Sequence, residues 1–198
     1  MMSPSLAIFD MDGTLTRPHL DFDAIRVEMG LPPGPILESV IAMPNGSAER
    51  ERADAILHRH EDAAARASEL QPGVHEVLDA LRRAGWRIAL MTRNSRHATQ
   101  IVCGKHELAF DHIRTRDDGP TKPSPEPIFD ICRALGCRPA DAWSIGDFHF
   151  DILCGHAAGT RTVLFWEFET PPPDWAKLAT HVISTLSALP PILNLKLE

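Results

Sequence analysis

Leu6-Ala7-Ile8-Phe9-Asp10-Met11-Asp12-Gly13-Thr14-Leu15-Thr16 is the stretch around which the rest of the chain is organised. Leu6 to Phe9 is a short unbroken apolar run, as expected of a strand buried on both faces, and it ends on an acid. A second acid follows two residues on, and then Gly13, which permits a sharp exit from the strand. Side chains alternate along a strand, so Asp10 and Asp12 share a side if the backbone is still extended there. Two carboxylates at a buried strand tip repel each other unless something separates their roles. A divalent cation does so, and so does a proton held on one of them. Asp-Gly after a strand is also an ordinary turn signal, so the weight of this stretch depends on what the rest of the chain brings to it.

Beyond Thr16 the pattern turns helical, with no convincing strand between Arg17 and Gln71. Phe22, Ile25, Val27 and Met29 fit a short helix after the acidic start Asp21-Phe22-Asp23. Leu31-Pro32-Pro33-Gly34-Pro35 breaks the chain, a second helix covers Ile36 to Met43, and Pro44-Asn45-Gly46 ends it. Ser47 is placed to cap a long helix whose apolar positions Ala53, Ile56, Leu57, Ala64 and Ala67 recur at helical spacing. From Pro72 the rhythm alternates. Helices are expected at 72–81, closed by Gly85, and at 97–107, 125–135 and 151–158, with Gly136 and Gly159 after the last two. Strands are expected at 86–91, 110–113, 142–145, 160–165 and 181–183, the last at an edge. Pro171-Pro172-Pro173 starts a turn, and a final helix follows from Ser184. Alternating strand and helix predicts an α/β protein with a Rossmann-like parallel sheet covered by helices on both faces, and a small α-helical cap inserted after the first strand. The boundaries are a core of residues 1–16 and 72–198 and a cap of 17–71, with hinges near Arg17-Pro18 and Gln71-Pro72. In open parallel sheets ligands bind beyond the carboxyl ends of the strands. Three predicted strands end there in Asp10, Thr92 and Asp147.

Four segments, taken together and in order, resemble the haloacid dehalogenase-like superfamily over essentially the whole chain. They are Asp10-Met11-Asp12-Gly13-Thr14; Leu90-Met91-Thr92-Arg93-Asn94; Thr121-Lys122-Pro123-Ser124-Pro125; and Ile145-Gly146-Asp147-Phe148-His149-Phe150-Asp151. Each is weak alone, and the ordered set is specific. The resemblance implies a phosphatase in which Asp10 is the nucleophile that forms an aspartyl-phosphate. Asp12 is then the acid and base, and Thr92 and Lys122 hold the transferring phosphoryl. It implies Mg2+ held by the Asp10 carboxylate, the Asp12 carbonyl and Asp147. Asp151 either joins those ligands or holds Lys122. Arg93 stands where the family often has Asn; it either adds a cation over a substrate carboxylate or phosphate or points away, and the second reading is preferred. The insert resembles the family's cap, with His19, Asp21, Asn45 and Ser47 as the candidates for substrate contact. Asp12 argues against dehalogenation, and the small cap argues against a phosphomutase. Phosphoglycolate phosphatase-like hydrolases match best, so a small phosphate monoester of the phosphoglycolate or sugar-phosphate type is the expected substrate. A non-catalytic binding protein would be expected to have lost Asp10 or Lys122.

The net charge of −7, with no basic stripe, gives no footprint for nucleic acid. No segment is long and apolar enough to span a bilayer and none reads as a leader, so a cytoplasmic protein is expected. Cys103, Cys132, Cys137 and Cys154 lie at spacings that suit neither a zinc site nor a redox pair, so free, buried or half-buried thiols are expected. His58 and His60 are not at the helical spacing that would put both on one face, which argues against a metal site there.

Overall fold

The computed structural model describes residues 5–195. Its sheet has six parallel strands in the order β3-β2-β1-β4-β5-β6: β1 Leu6–Phe9, β2 Arg87–Met91, β3 His112–Arg114, β4 Ala142–Gly146, β5 Arg161–Phe165 and β6 His181–Ile183. Every strand foreseen in the sequence is present, with ends moved by one or two residues. The double burial of β1 follows from alternation. Ala7 and Phe9 pack on one face against Val77, Leu81 and Val102, while Leu6 and Ile8 pack on the other against Ile128 and Ile131. The first face is covered by α4 (Val74–Arg83), α5 (Arg96–Lys105) and the short α8 (Leu189–Ile192), the second by α6 (Glu126–Leu135) and α7 (His149–Ala158). β1 lies between β2 and β4, so the strand order reverses at β1 and opens a crevice at its carboxyl end.

Between β1 and α4 come three helices: α1 (Phe22–Met29), α2 (Ile36–Ile41) and α3 (Ala48–Ala67). Ile25, Ile36, Val40, Ala53 and Leu57 form an apolar cluster of their own. Phe22 and Val27, expected on the apolar face of α1, are exposed; Ile25 is buried and Met29 packs beside it, one turn apart. The final turns of α3 leave this cluster. Ala65 joins the main core, and α3 runs along α5. Lys105 donates to the carbonyls of Arg66 and Ser68, each at 2.7 Å. The two connections of the insert lie side by side, tied by Arg17 N–H to the Glu69 carbonyl at 2.8 Å and Gln71 N–H to the Leu15 carbonyl at 2.9 Å.

Three expectations are corrected. α7 begins at His149 rather than Asp151, because the Asp151 carboxylate turns back to accept from the Phe148 N–H at 3.1 Å and so closes the first turn. Pro72 and Gly73 precede α4, which starts at Val74, with Gly73 at φ 86°. The single helix expected from Ser184 is instead a 3-10 turn at Leu186–Ala188 and the four-residue α8; the last three residues of that segment lie outside the described residues. Among the described residues no helix is long and apolar enough to cross a membrane.

Candidate active site

The chain does not stay extended after Asp10. Thr14, Leu15 and Thr16 all direct their backbone N–H groups to the Met11 carbonyl, at 3.3, 2.9 and 2.9 Å, so the loop folds tightly back over the tip of β1. Gly13 has φ 86°, and a Cβ there would lie 2.2 Å from Asp147 Oδ2. Glycine is therefore needed both for its conformation and for room. Thr14 Oγ1 donates to Asp147 Oδ1 at 3.1 Å, fixing the acid from β4 against the loop from β1. Gly146 plays the matching part on the other strand, since a Cβ there would lie 2.2 Å from the Asp151 Cγ.

Lys122 is the centre of charge. It is 112 residues from Asp10 in sequence, yet its ammonium contacts Asp10 Oδ1 directly and donates to Asp151 Oδ1 at 2.6 Å. All three side chains are buried. Asp10, Asp147 and Asp151 each offer a carboxylate oxygen, and these atoms lie within 4.8 Å of one another. Burial pushes the Asp10 carboxyl well above its usual range; Lys122 opposes this, while Asp151 and Asp147 add to it. Burial and the Asp151 charge together push Asp147 up to about 7. Burial works against the Lys122 ammonium, but Asp10 and Asp151 outweigh it and hold the group more basic than usual. Three clustered carboxylates facing one ammonium leave negative charge uncompensated, in a set of hard oxygen donors. That donor set fits a divalent cation such as Mg2+.

Asp12 is reached from the loop after β2. The Asn94 amide donates to Asp12 Oδ2 at 2.5 Å, and the Asn94 N–H donates to Thr92 Oγ1 at 3.1 Å. Thr92, Asn94 and Asp12 thus form one chain of hydrogen bonds, and Thr92 still has its hydroxyl proton to donate. Burial first, and then the charge of Glu61, push the Asp12 carboxyl up to about 6, against the pull of Lys122, Asn94 and Thr16. Glu61 comes from α3. It is 3% exposed, pairs with Arg116 and accepts from the Ser95 N–H at 3.2 Å. Removing one member of so buried an ion pair typically costs about 3–5 kcal/mol, so α3 is strongly held to the core at this point.

The structure therefore brings Asp10, Asp147, Asp151 and Lys122 into one cluster, and Asp12 and Thr92 into a hydrogen-bonded chain beside it. Arg93 stands apart. Its Nη2 donates to both oxygens of Glu38 on α2, at 2.7 and 2.8 Å, and its guanidinium lies 4.4 Å over the Phe150 ring. Of the cap candidates, Asp21 and Ser47 serve as helix caps, accepting from Ala24 N–H at 2.9 Å and Arg50 N–H at 3.2 Å. His19 and Asn45 are exposed. His60 pairs with Glu28 at 2.9 Å, and the four cysteines are unpaired thiols, Cys103 half-buried and the others buried. Asn94, Glu61 and Glu38 are the residues that sequence reasoning missed. Asn94 was in view within the second segment. Nothing in local pattern marks Glu61, a buried acid on an otherwise charged helix, or Glu38.

Known proteins resemble this chain in sequence and in fold. The family model of haloacid dehalogenase-like hydrolases matches residues 18–165. An uncharacterized hydrolase of Saccharomyces cerevisiae is 34% identical over 164 residues, covering 79% of this chain and 75% of the yeast protein. Pyrophosphatase PpaX of Bacillus mycoides is 28% identical over 98% of both chains. Among solved structures, a hydrolase from Pseudomonas syringae superposes with a TM-score of 0.79 at 18% identity, over 96% of this chain and 98% of that one. CbbY from Rhodobacter sphaeroides, solved in complex with phosphate, superposes with a TM-score of 0.70 at 20% identity over 95% and 96% of the two chains. With its ordered motifs, its six-stranded parallel sheet and a family match across most of its length, the chain belongs to the haloacid dehalogenase-like hydrolases.

Proposed function

We propose that the protein is a phosphatase that hydrolyses a small phosphate monoester through an aspartyl-phosphate on Asp10. The observation that carries this reading is the buried contact of Lys122 with Asp10 and Asp151, beside an Asp12 held by Asn94. Asp10 attacks phosphorus, and the alcohol departs with a proton from Asp12. Asp12, now a base, takes a proton from water, which attacks the same phosphorus and frees Asp10. The proton affinity given to Asp12 by burial and by Glu61 suits the first of these steps, because the carboxyl must enter it protonated. Lys122 and the Thr92 hydroxyl neutralise and orient the phosphoryl oxygens. Both Asp151 oxygens are engaged, one by Lys122 and one by the Phe148 N–H, which favours Asp151 as the group that positions Lys122.

Asp10 and Asp147, with the Asp12 carbonyl that the family resemblance adds, would hold Mg2+. When bound, the ion supplies positive charge that keeps Asp10 ionised and offsets charge building on the phosphoryl. We take residues 17–71 as the cap over the crevice. The cap is tied to the core by Glu38 with Arg93, by Glu61 with Arg116 and by Lys105 with the Arg66 and Ser68 carbonyls. Unpaired cysteines fit a cytoplasmic location.

The likeness to a pyrophosphatase favours a second reading, in which phosphate itself is the leaving group. The test is phosphate release from p-nitrophenyl phosphate and from pyrophosphate, with Mg2+ and with EDTA. Mg2+-dependent turnover of the monoester supports the proposal. Turnover confined to pyrophosphate supports the second reading, and monoester turnover undiminished by EDTA overturns the metal assignment.

Stability gives an independent check. Asp12 and Asp147 have native pKa values raised to about 6 and about 7, so the metal-free native state binds more protons than the unfolded chain. Their contribution to stability is fully present below the ordinary carboxylate pKa and is lost as pH rises to about 7. Mg2+ competes with the Asp147 proton. In EDTA the melting temperature should therefore fall as pH rises from about 4, the ordinary carboxylate range, to about 7. Added Mg2+ should restore stability increasingly across that range, by about 3 kcal/mol at a hundredfold excess over Kd. A Mg2+ effect equal at both ends of the range contradicts the carboxylate cluster as its site.

A further inference from the structure

We infer that Glu38 sets the charge of the leaving-group side of the site, and that the enzyme therefore selects phosphate esters of uncharged alcohols. This rests on the phosphatase reading above and narrows its substrate class. Arg93 lies between Thr92, which holds the phosphoryl in that reading, and Asn94, which orients the acid that protonates the leaving group. Arg93 belongs to the loop after β2, and Phe150 to the segment after β4. β1 lies between those strands, so the 4.4 Å contact of the guanidinium with the Phe150 ring joins the loops on either side of Asp10. A cation in that position would favour a substrate bearing a second anionic group, a carboxylate or another phosphate.

That cation is already matched. Ile36 and Val40 bury the apolar side of α2 against α1 and α3. Position 38, midway between them, falls on the opposite side of so short a helix and points toward the core. The Glu38 carboxylate meets Arg93 Nη2 with both oxygens, 55 residues away along the chain. Arg93 is thus fixed by Glu38 and by Phe150, and the pair carries no net charge. The next arginine inward, Arg116, whose Nη1 lies 3.4 Å from the Arg93 carbonyl, is in turn matched by Glu61. A second anion on the leaving group would meet the exposed Glu38 carboxylate, which already balances the Arg93 charge, while Glu61 is buried against Arg116. A polyol or sugar hydroxyl would meet a neutral, hydrogen-bonding wall. Specificity here comes from a repulsive element that the insert adds to an otherwise attractive cation.

The test compares kcat/KM, in Mg2+, on glycerol 1-phosphate, 2-phosphoglycolate and pyrophosphate, for the native protein, Glu38→Gln, and Glu38→Gln combined with Arg93→Gln. Glutamine keeps the size of the side chain and removes the charge. The native protein should prefer glycerol 1-phosphate. Glu38→Gln should shift the ratio toward phosphoglycolate by about tenfold, chiefly through KM, as expected of one charge in a half-exposed position. The double variant should lose that shift, because the uncovered cation has gone. A native preference for phosphoglycolate or pyrophosphate overturns the inference while leaving the phosphatase reading in place, and so does a ratio that Glu38→Gln leaves unmoved. Failure of the native protein to release phosphate from these three and from p-nitrophenyl phosphate overturns the phosphatase reading itself.

Discussion

Asp10→Asn should release phosphate about 10⁴-fold more slowly than the native protein, or slower still, while remaining folded. The amide has the shape of the carboxylate but no lone pair fit to displace an alcohol from phosphorus. The folded state should survive because the native charge is poorly accommodated without a metal. Burial, Asp147 and Asp151 together raise the proton affinity of Asp10 more than Lys122 lowers it. Replacing the carboxylate by a neutral isostere removes that repulsion, and Lys122 keeps Asp151 as a partner at 2.6 Å. In EDTA the variant should melt no lower than the native protein. Steady-state rates and thermal unfolding on the same samples separate lost chemistry from lost structure. Substantial turnover in Asp10→Asn would remove Asp10 from the nucleophile's place.

Lys122→Met should fail in both respects. Lys122 is 3% exposed and lies against two buried carboxylates. Its removal leaves Asp10 and Asp151 facing each other without a cation, which typically costs about 3–5 kcal/mol. It also removes a fixed positive charge aimed at the phosphoryl oxygens, a loss of about 10²–10³-fold in kcat. The two effects separate on adding Mg2+, which should return part of the stability and little of the rate. Lys122→Arg should not restore activity, because a planar guanidinium does not fit where a compact ammonium touches two carboxylates. Denaturant unfolding with and without Mg2+, alongside turnover, reads both effects. A Lys122→Met protein as stable as the native one would mean that the buried pair contributes far less than its geometry implies.

Much of this arrangement could be read in advance because it depends on short-range rules. Four consecutive apolar residues ending on Asp10 mark a strand buried on both faces, and Ala7 and Phe9 do pack away from Leu6 and Ile8. Gly136 and Gly159 both adopt the left-handed conformation at the ends of α6 and α7. Asp10, Thr92 and Asp147 stand at the tips of three adjacent strands because crossovers in a parallel sheet leave no other place for polar ends.

What escaped the sequence is contact between distant segments whose local signals are ordinary. Glu38 is a charged residue on a six-residue helix. Its spacing from Ile36 and Val40 says which way it faces, but not that Arg93 waits there. Glu61 reads as one more surface acid on a charged helix, and only the packing of α3 along α5 makes it a buried partner of Arg116. Asp10 and Asp12 share a side only if the backbone is extended there, and no local signal says that Asn94 holds Asp12 from 82 residues away. In each case the deciding interaction is a single long-range polar contact, which neither hydrophobic period nor turn chemistry encodes.

In the proposed mechanism, segments far apart in sequence meet so that the Asp10 carboxylate faces phosphorus. The most direct measurement mixes the Mg2+-loaded protein with a phosphate monoester that it turns over, quenches in acid within one turnover, and locates any added phosphoryl group by peptide mass spectrometry. The expected result is one phosphoryl group on the peptide that contains Asp10, carried by Asp10 and absent from Asp10→Asn. A native protein that turns over the same ester with no phosphoryl group on that peptide, or with one on another residue, would contradict it.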